Sequence, residues 1–76
     1  MMKILVFGQL TDIFKGSFIR LKDIPDTDTM IRKLEEKYPA LKKMKYLIAI
    51  DKEIVKENTT LGEESEVSLL PPFSGG

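Results

Sequence analysis

The chain has 76 residues, enough for one domain and a modest core. Hydrophobic residues make up 42% and charged residues 32%, the balance of a folded domain rather than a disordered one. Lys and Arg (12) offset Asp and Glu (12), and there is no Cys or His; this disfavours a nucleic-acid binder and excludes disulfides, thiolate chemistry and imidazole catalysis.

Residues 3–7 form a β-rich run. Met2, Ile4 and Val6 face one way, and Lys3, Leu5 and Phe7 the other. Apolar residues on both faces predict a central strand with cover on both sides, at least in part. The run stops at Gly8-Gln9, too short for a signal-peptide core, and no stretch approaches the roughly 18 apolar residues of a membrane span. A cytoplasmic protein is the expectation. Residues 8–16 are a loop with room for one helical turn at 11–14. Residues 17–21 alternate again, with Ile19 and Leu21 inward and Phe18 and Arg20 outward.

Pro25 breaks the pattern, and Thr27 is the expected N-cap, its hydroxyl accepting from a free N–H at the helix start. Asp28 follows in the first turn, where the dipole favours negative charge. Met30, Ile31, Leu34 and Tyr38 share one helical face, and Pro39 ends the helix. A short turn is expected over 40–44. Its lysines, Lys42, Lys43 and Lys45, read as a solvated surface. Residues 46–50 and 53–55 are strands joined by the two-residue turn Asp51-Lys52. A turn at 62–65 leads to a last strand over 66–70. Pro71-Pro72 then leaves the sheet as a stiff, extended exit.

The order β-β-α-β-β-β predicts an α+β domain. It has a mixed sheet with one main crossover helix packed on one face, the β-grasp or ubiquitin-like arrangement. Residues 1–71 are assigned to the domain and 72–76 to an extended tail.

The tail, Pro71-Pro72-Phe73-Ser74-Gly75-Gly76, carries the chemical signal. A Gly-Gly pair at a given position arises by chance at about 0.5%, with glycine at roughly 7% of residues. Without Cβ atoms, such a pair passes through a channel too narrow for side chains. It leaves the carboxylate of Gly76 unhindered for activation. With no His, no Cys and little room for a deep pocket, a carrier or binding protein fits better than an enzyme acting alone.

The run 70–76 resembles the ending of the small subunit of molybdopterin synthase, a ubiquitin-like sulfur carrier of the MoaD/ThiS family. The resemblance extends along the chain, through residues 2–7, Pro25 to Leu34, Ala49-Ile50-Asp51, Ile54-Val55 and Leu61 with Glu66-Val67. It implies that Gly76 is adenylated with ATP by a ubiquitin-activating-type adenylating enzyme, then converted to a thiocarboxylate with sulfur from a donor enzyme. It implies further that the tail enters the large subunit, two small chains with two large ones, and gives its sulfur to the molybdopterin precursor. Catalysis is then shared within a transferase, and this chain binds no cofactor or metal of its own.

On that resemblance Gly75 permits threading, Ser74 falls where the family has Ser or Thr, Pro71 and Pro72 hold the tail clear, and Leu70 and Phe73 contact the partner. An outward Phe18 is a candidate docking point for the activating enzyme. Gly8 stands where the family commonly has alanine, Leu70 where many members have an aromatic, and Glu64 where glycine is frequent. Three alternatives stay open: a thiamin-type carrier, a ubiquitin-like protein modifier, and a non-catalytic β-grasp interaction module.

Overall fold

The computed structural model describes residues 2–72. Strand β1 (Met2–Val6) runs through Gly8 into a short helix α1 (Leu10–Phe14), and β2 (Phe18–Leu21) returns alongside β1. The main helix α2 (Thr27–Lys37) crosses the sheet and is followed by a 3₁₀ turn (Pro39–Lys43). Strands β3 (Leu47–Ile50), β4 (Glu53–Val55) and β5 (Val67–Leu70) complete the chain. The five-stranded sheet has the order β2-β1-β5-β3-β4. β5 is parallel to β1 and antiparallel to β3, so the sheet is mixed and its two central strands lie near opposite ends of the sequence. This is the expected β-grasp layout.

The core lies between one sheet face and the helices. Met2, Ile4 and Val6 of β1, Val67 and Leu69 of β5, and Ile48 and Ile50 of β3 all point into it. Met30 and Leu34 of α2 close it from above, both without solvent exposure. Each such side chain contributes about 1.5–3 kcal/mol relative to an exposed position. The Phe14 and Tyr38 rings meet edge-on at 4.5 Å between centroids, tying α1 to the end of α2.

Two expectations are corrected. β1 is central, but its second face is uncovered: Lys3 and Phe7 are exposed and Leu5 is half-buried. The single crossing helix covers one face, and no element of the described residues covers the other. The N-cap of α2 is Asp26, not Thr27. The Asp26 carboxylate accepts from the Thr29 N–H at 2.9 Å, while Thr27 is the first helical residue and is buried.

Thr27 has a different task. Its Oγ1 accepts from the Thr59 N–H at 2.9 Å and donates to Asn58 Oδ1 at 3.2 Å. Asn58 Oδ1 also accepts from the Asp28 N–H at 2.9 Å. The helix start is thus satisfied from two places in the chain, its own cap and the loop before β5. Hydrogen bonds from Thr29, its side chain first and then its backbone N–H, hold the Asp26 carboxyl below the ordinary aspartate value. Asn58 and Arg32 act in the same direction. Burial, helped by the charge of Glu35, pushes the Tyr46 hydroxyl up.

The Asp51-Lys52 turn forms as expected. Both residues have positive φ, 50° and 71°, the sense a two-residue hairpin turn needs to match strand twist. The Asp51 carboxylate accepts from the Glu66 N–H at 3.0 Å, joining this turn to the start of β5. The turn at 62–65 is closed by Ser65, whose Oγ accepts from the Gly62 N–H at 2.9 Å.

Candidate functional site: the open sheet face and the root of the tail

Strand alternation puts half of the sheet's side chains on the uncovered face. The pairings Leu5↔Phe18, Leu5↔Ser68, Ala49↔Ser68 and Ala49↔Ile54 place these residues in one row across all five strands. The row reads Phe18, Leu5, Ser68, Ala49, Ile54; it is apolar except for one small hydroxyl, and the small Ala49 is itself buried between its larger neighbours. A second row, one step towards the tail, holds Leu70 paired with Leu47, with Phe7 just past the end of β1. Phe7, Phe18 and Ile54 are 45%, 43% and 41% exposed, the large hydrophobic residues most open to solvent among those described. Apolar exposure gathered on one face in this way marks an interaction surface.

Charge borders the row on one side. Lys3 lies opposite Arg20 across β1 and β2, a like-charge pair that is unfavourable by itself. The Phe18 ring lies close to both: Lys3 Nζ is 4.4 Å and the Arg20 guanidinium carbon 5.3 Å from its centroid. The ring's negative face offsets part of that repulsion. Phe18 is therefore outward, as expected, but it belongs to a cation-flanked edge rather than standing alone.

At the same end of the sheet as Leu70, the chain leaves at Pro71, which is half-buried, and Pro72, which is exposed. Pro71 rests on Gly8. A Cβ built at Gly8 would lie 2.8 Å from Pro71 Cγ and 3.3 Å from Cδ, and Gly8 has φ +63°. Of the tail, Phe73, Ser74, Gly75 and Gly76 lie outside the described residues.

The other surface features do not converge on chemistry. A depression lined by Asp23, Ile24, Pro25, Leu61, Gly62 and Glu63 lies at the opposite end of the sheet from Pro71. Lys42, Lys43 and Lys45 are exposed as expected. Among the described residues no group of three or more His, Cys, Asp or Glu could hold a metal ion, and no helix is long and apolar enough to cross a membrane.

The structure thus brings together Leu70, Pro71 and Phe18 with residues not singled out as site members from sequence: Leu5, Phe7, Leu47, Ile54 and Gly8. Leu5 and Phe7 carried a signal in the alternation of residues 2–7, whereas no faces were read for the strands that hold Leu47 and Ile54. Gly8, which stands where the family commonly has alanine, lies against Pro71.

The sequence matches the ThiS family over residues 4–76. The chain belongs to that family. The fold resembles the crystal structure of SAMP1 from Haloferax volcanii, with a TM-score of 0.78 at 20% identity, covering 99% of this chain and 98% of that one. It also resembles a chain in the complex of subunits 1 and 2 of the molybdopterin-converting factor from Helicobacter pylori. That match has a TM-score of 0.68 at 26% identity and covers 99% of this chain and 97% of that one. The protein therefore has the ubiquitin-like fold of ThiS/MoaD-type sulfur carriers.

Proposed function

We infer that this chain is the sulfur-carrying small subunit of molybdopterin synthase. The observation that carries the reading is the end-to-end match to a subunit of the Helicobacter pylori molybdopterin-converting factor complex. The sequence Pro71-Pro72-Phe73-Ser74-Gly75-Gly76 supports it. In this reading a cytoplasmic activating enzyme docks on the open face around Phe18. The Gly76 carboxylate attacks the α-phosphate of ATP, releasing pyrophosphate and leaving an acyl adenylate. Sulfur from a donor displaces AMP and gives the thiocarboxylate.

The large subunit then takes the tail. Gly75 and Ser74 pass through a narrow channel, Phe73 and Leu70 pack on its mouth, and Pro71-Pro72 hold the tail away from the domain. Sulfur passes to the precursor and the Gly76 carboxylate is regenerated with oxygen from water. This chain supplies the reacting group, and the large subunit supplies the pocket and the proton transfers. The carrier itself needs no bound cofactor, since ATP is consumed by the activating enzyme.

A thiamin-type carrier would share every step up to the thiocarboxylate, and the ThiS family match favours it equally. The clients separate the two. Intact mass after incubation with ATP, sulfide and an adenylating enzyme of the family tests the carrier step, with one oxygen of Gly76 expected to be exchanged for sulfur. Offering the charged protein to a molybdopterin synthase large subunit and to a thiazole synthase then tests the client. Turnover with the first alone supports the reading, and turnover with the second alone replaces it.

A further inference from the structure

We propose that β2 is a docking edge for an acidic, extended segment of a partner protein, which joins the five-stranded sheet as a further strand. The inference does not depend on the sulfur-carrier reading. In an antiparallel ladder, alternate residues turn their N–H and C=O groups towards the neighbouring strand, and the residues between them turn theirs away. The Val6 N–H donates to Ser17 O at 2.8 Å, so these two are a bonded pair. By the register of β1 and β2, Ile4 with Ile19 and Met2 with Leu21 are bonded pairs as well. Phe18 and Arg20 fall between them, and their backbone groups face out from the edge of the sheet. Both residues are exposed, and among the described residues no loop or side-chain hydrogen bond reaches those groups.

The opposite edge offers less. The Asp51 N–H donates to Glu66 O at 2.8 Å, so Asp51 and, two residues back, Ala49 turn their backbone towards β5. Ile48 and Ile50 then face β4, where Val55 and Glu53 are bonded to them. In β4 Ile54 alone turns outward, and a strand so short is a poor template for a new one.

Side chains select what the β2 edge accepts. Phe18 and Arg20 point to the open face, where Lys3 lies opposite Arg20 and the Phe18 ring touches both cations. Lys22 adds a further exposed cation just past the strand, and residues 13–22 contain no carboxylate. Asp23, at φ 60°, turns the chain away and closes the stretch. On the covered side Ile19 and Leu21 are half-buried at the margin of the core. An added strand therefore meets cations on one face and apolar side chains on the other. Alternating acidic and apolar residues match both. The main chain supplies the bonds and the alternation supplies the specificity. A second copy of β2 does not fit, because it would set Arg20 and Lys22 against their own kind, a common way of keeping an edge from pairing with itself. Charge complementarity points instead to an acidic segment of another protein.

The experiment titrates the whole chain with a blocked peptide of about eight residues that alternates valine and glutamate. Amide exchange and chemical shifts are read by NMR. A peptide with lysine in place of glutamate is the charge control. Arg20→Glu tests the cation, and Lys42→Glu with Lys43→Glu tests net charge at a site away from β2. Phe18→Pro is compared with Phe18→Ala: both lose the ring, and only proline loses the outward N–H.

The acidic peptide should slow exchange at the Phe18 and Arg20 amides and leave Ile54 unchanged. Arg20→Glu should weaken it by about tenfold or more and let the lysine peptide bind, while the 42/43 variant stays within about twofold of wild type. Phe18→Pro should bind several-fold more weakly than Phe18→Ala; if the proline variant is unfolded by circular dichroism, Arg20→Glu decides. Binding that ignores peptide charge, protection at Ile54 rather than at Phe18 and Arg20, or no binding at all overturns the proposal. So does protection of Phe18 and Arg20 that rises with protein concentration in the absence of peptide, which would make a second copy the occupant. None of these outcomes bears on whether Gly76 takes up sulfur, so the carrier reading stands or falls separately.

Discussion

Ile4 and Leu5 are adjacent on β1 and carry isomeric side chains, yet Ile4 has no solvent exposure and Leu5 is half-buried. The same contrast runs across the sheet. Towards α2, Val67, Leu69 and Ile48 are covered; on the reverse, Phe18, Leu47, Leu70 and Ile54 are half-buried or exposed. The first group is explained by folding, because it is where the helix lands. The second gains little from folding and needs a different reason to be apolar. Binding is such a reason, and it separates residues that hold the domain together from residues that make it useful.

The sharpest way to break the comparison is to truncate one residue on each face. Leu34→Ala removes a fully buried side chain of α2 on the covered face of the sheet. It should cost about 2–5 kcal/mol, a large part of the stability of so small a domain, read as a lower urea midpoint. A cost below ~1 kcal/mol would mean that the covered face is not the main source of stability.

Next in size is the helix start. Thr27→Val keeps the shape but strips the acceptor from the Thr59 N–H and the donor from Asn58. The expected cost is about 1–3 kcal/mol. An isosteric swap without effect would show that water replaces both bonds.

Acid should act at the same place. Asp26 holds its proton less tightly in the folded chain than in the unfolded one. Its contribution is therefore present above the ordinary value of 3.8 and is lost as pH falls through its lower folded value. Urea midpoints measured below about pH 4 should fall more steeply for the wild type than for Asp26→Asn. Parallel curves would contradict the capping role.

The smallest stability effects belong to the open face. Ile54→Ser should change stability by no more than about 0.5 kcal/mol, and Phe18→Ala by about 1 kcal/mol, since it also removes the ring that offsets the Lys3–Arg20 repulsion. On the proposed function they weaken association with the activating enzyme or the large subunit, measured by calorimetry. Unchanged affinity for both partners would remove the open face from the site.

Much of the fold was legible because its signals are local. Met30, Leu34 and Tyr38 repeat at helical spacing, Pro39 stops the helix, and the two-residue turn Asp51-Lys52 joins β3 and β4 as the spacing of the apolar runs implies. The cap was misassigned because Asp26 and Thr27 are both good caps, and the choice depends on Asn58 and Thr59, far along the chain. The cover expected over Leu5 was wrong for a related reason. Apolar alternation reports which residues avoid water, but not whether a helix or another protein does the covering. The close approach of Gly8 and Pro71 was opaque because the two residues lie at opposite ends of the sequence.

The parallel rung that joins Ile4 to Val67 has a consequence for the order of events in the cell. During synthesis β1 leaves the ribosome early and finds only β2 beside it. The middle of the sheet stays empty until residues 67–70 follow, and pairing across so much sequence closes late. The open-face row takes Ser68 from that last strand, so the surface is incomplete until β5 has paired. On the proposed function, an activating enzyme that grips this face would act only on chains whose first and last strands have already met.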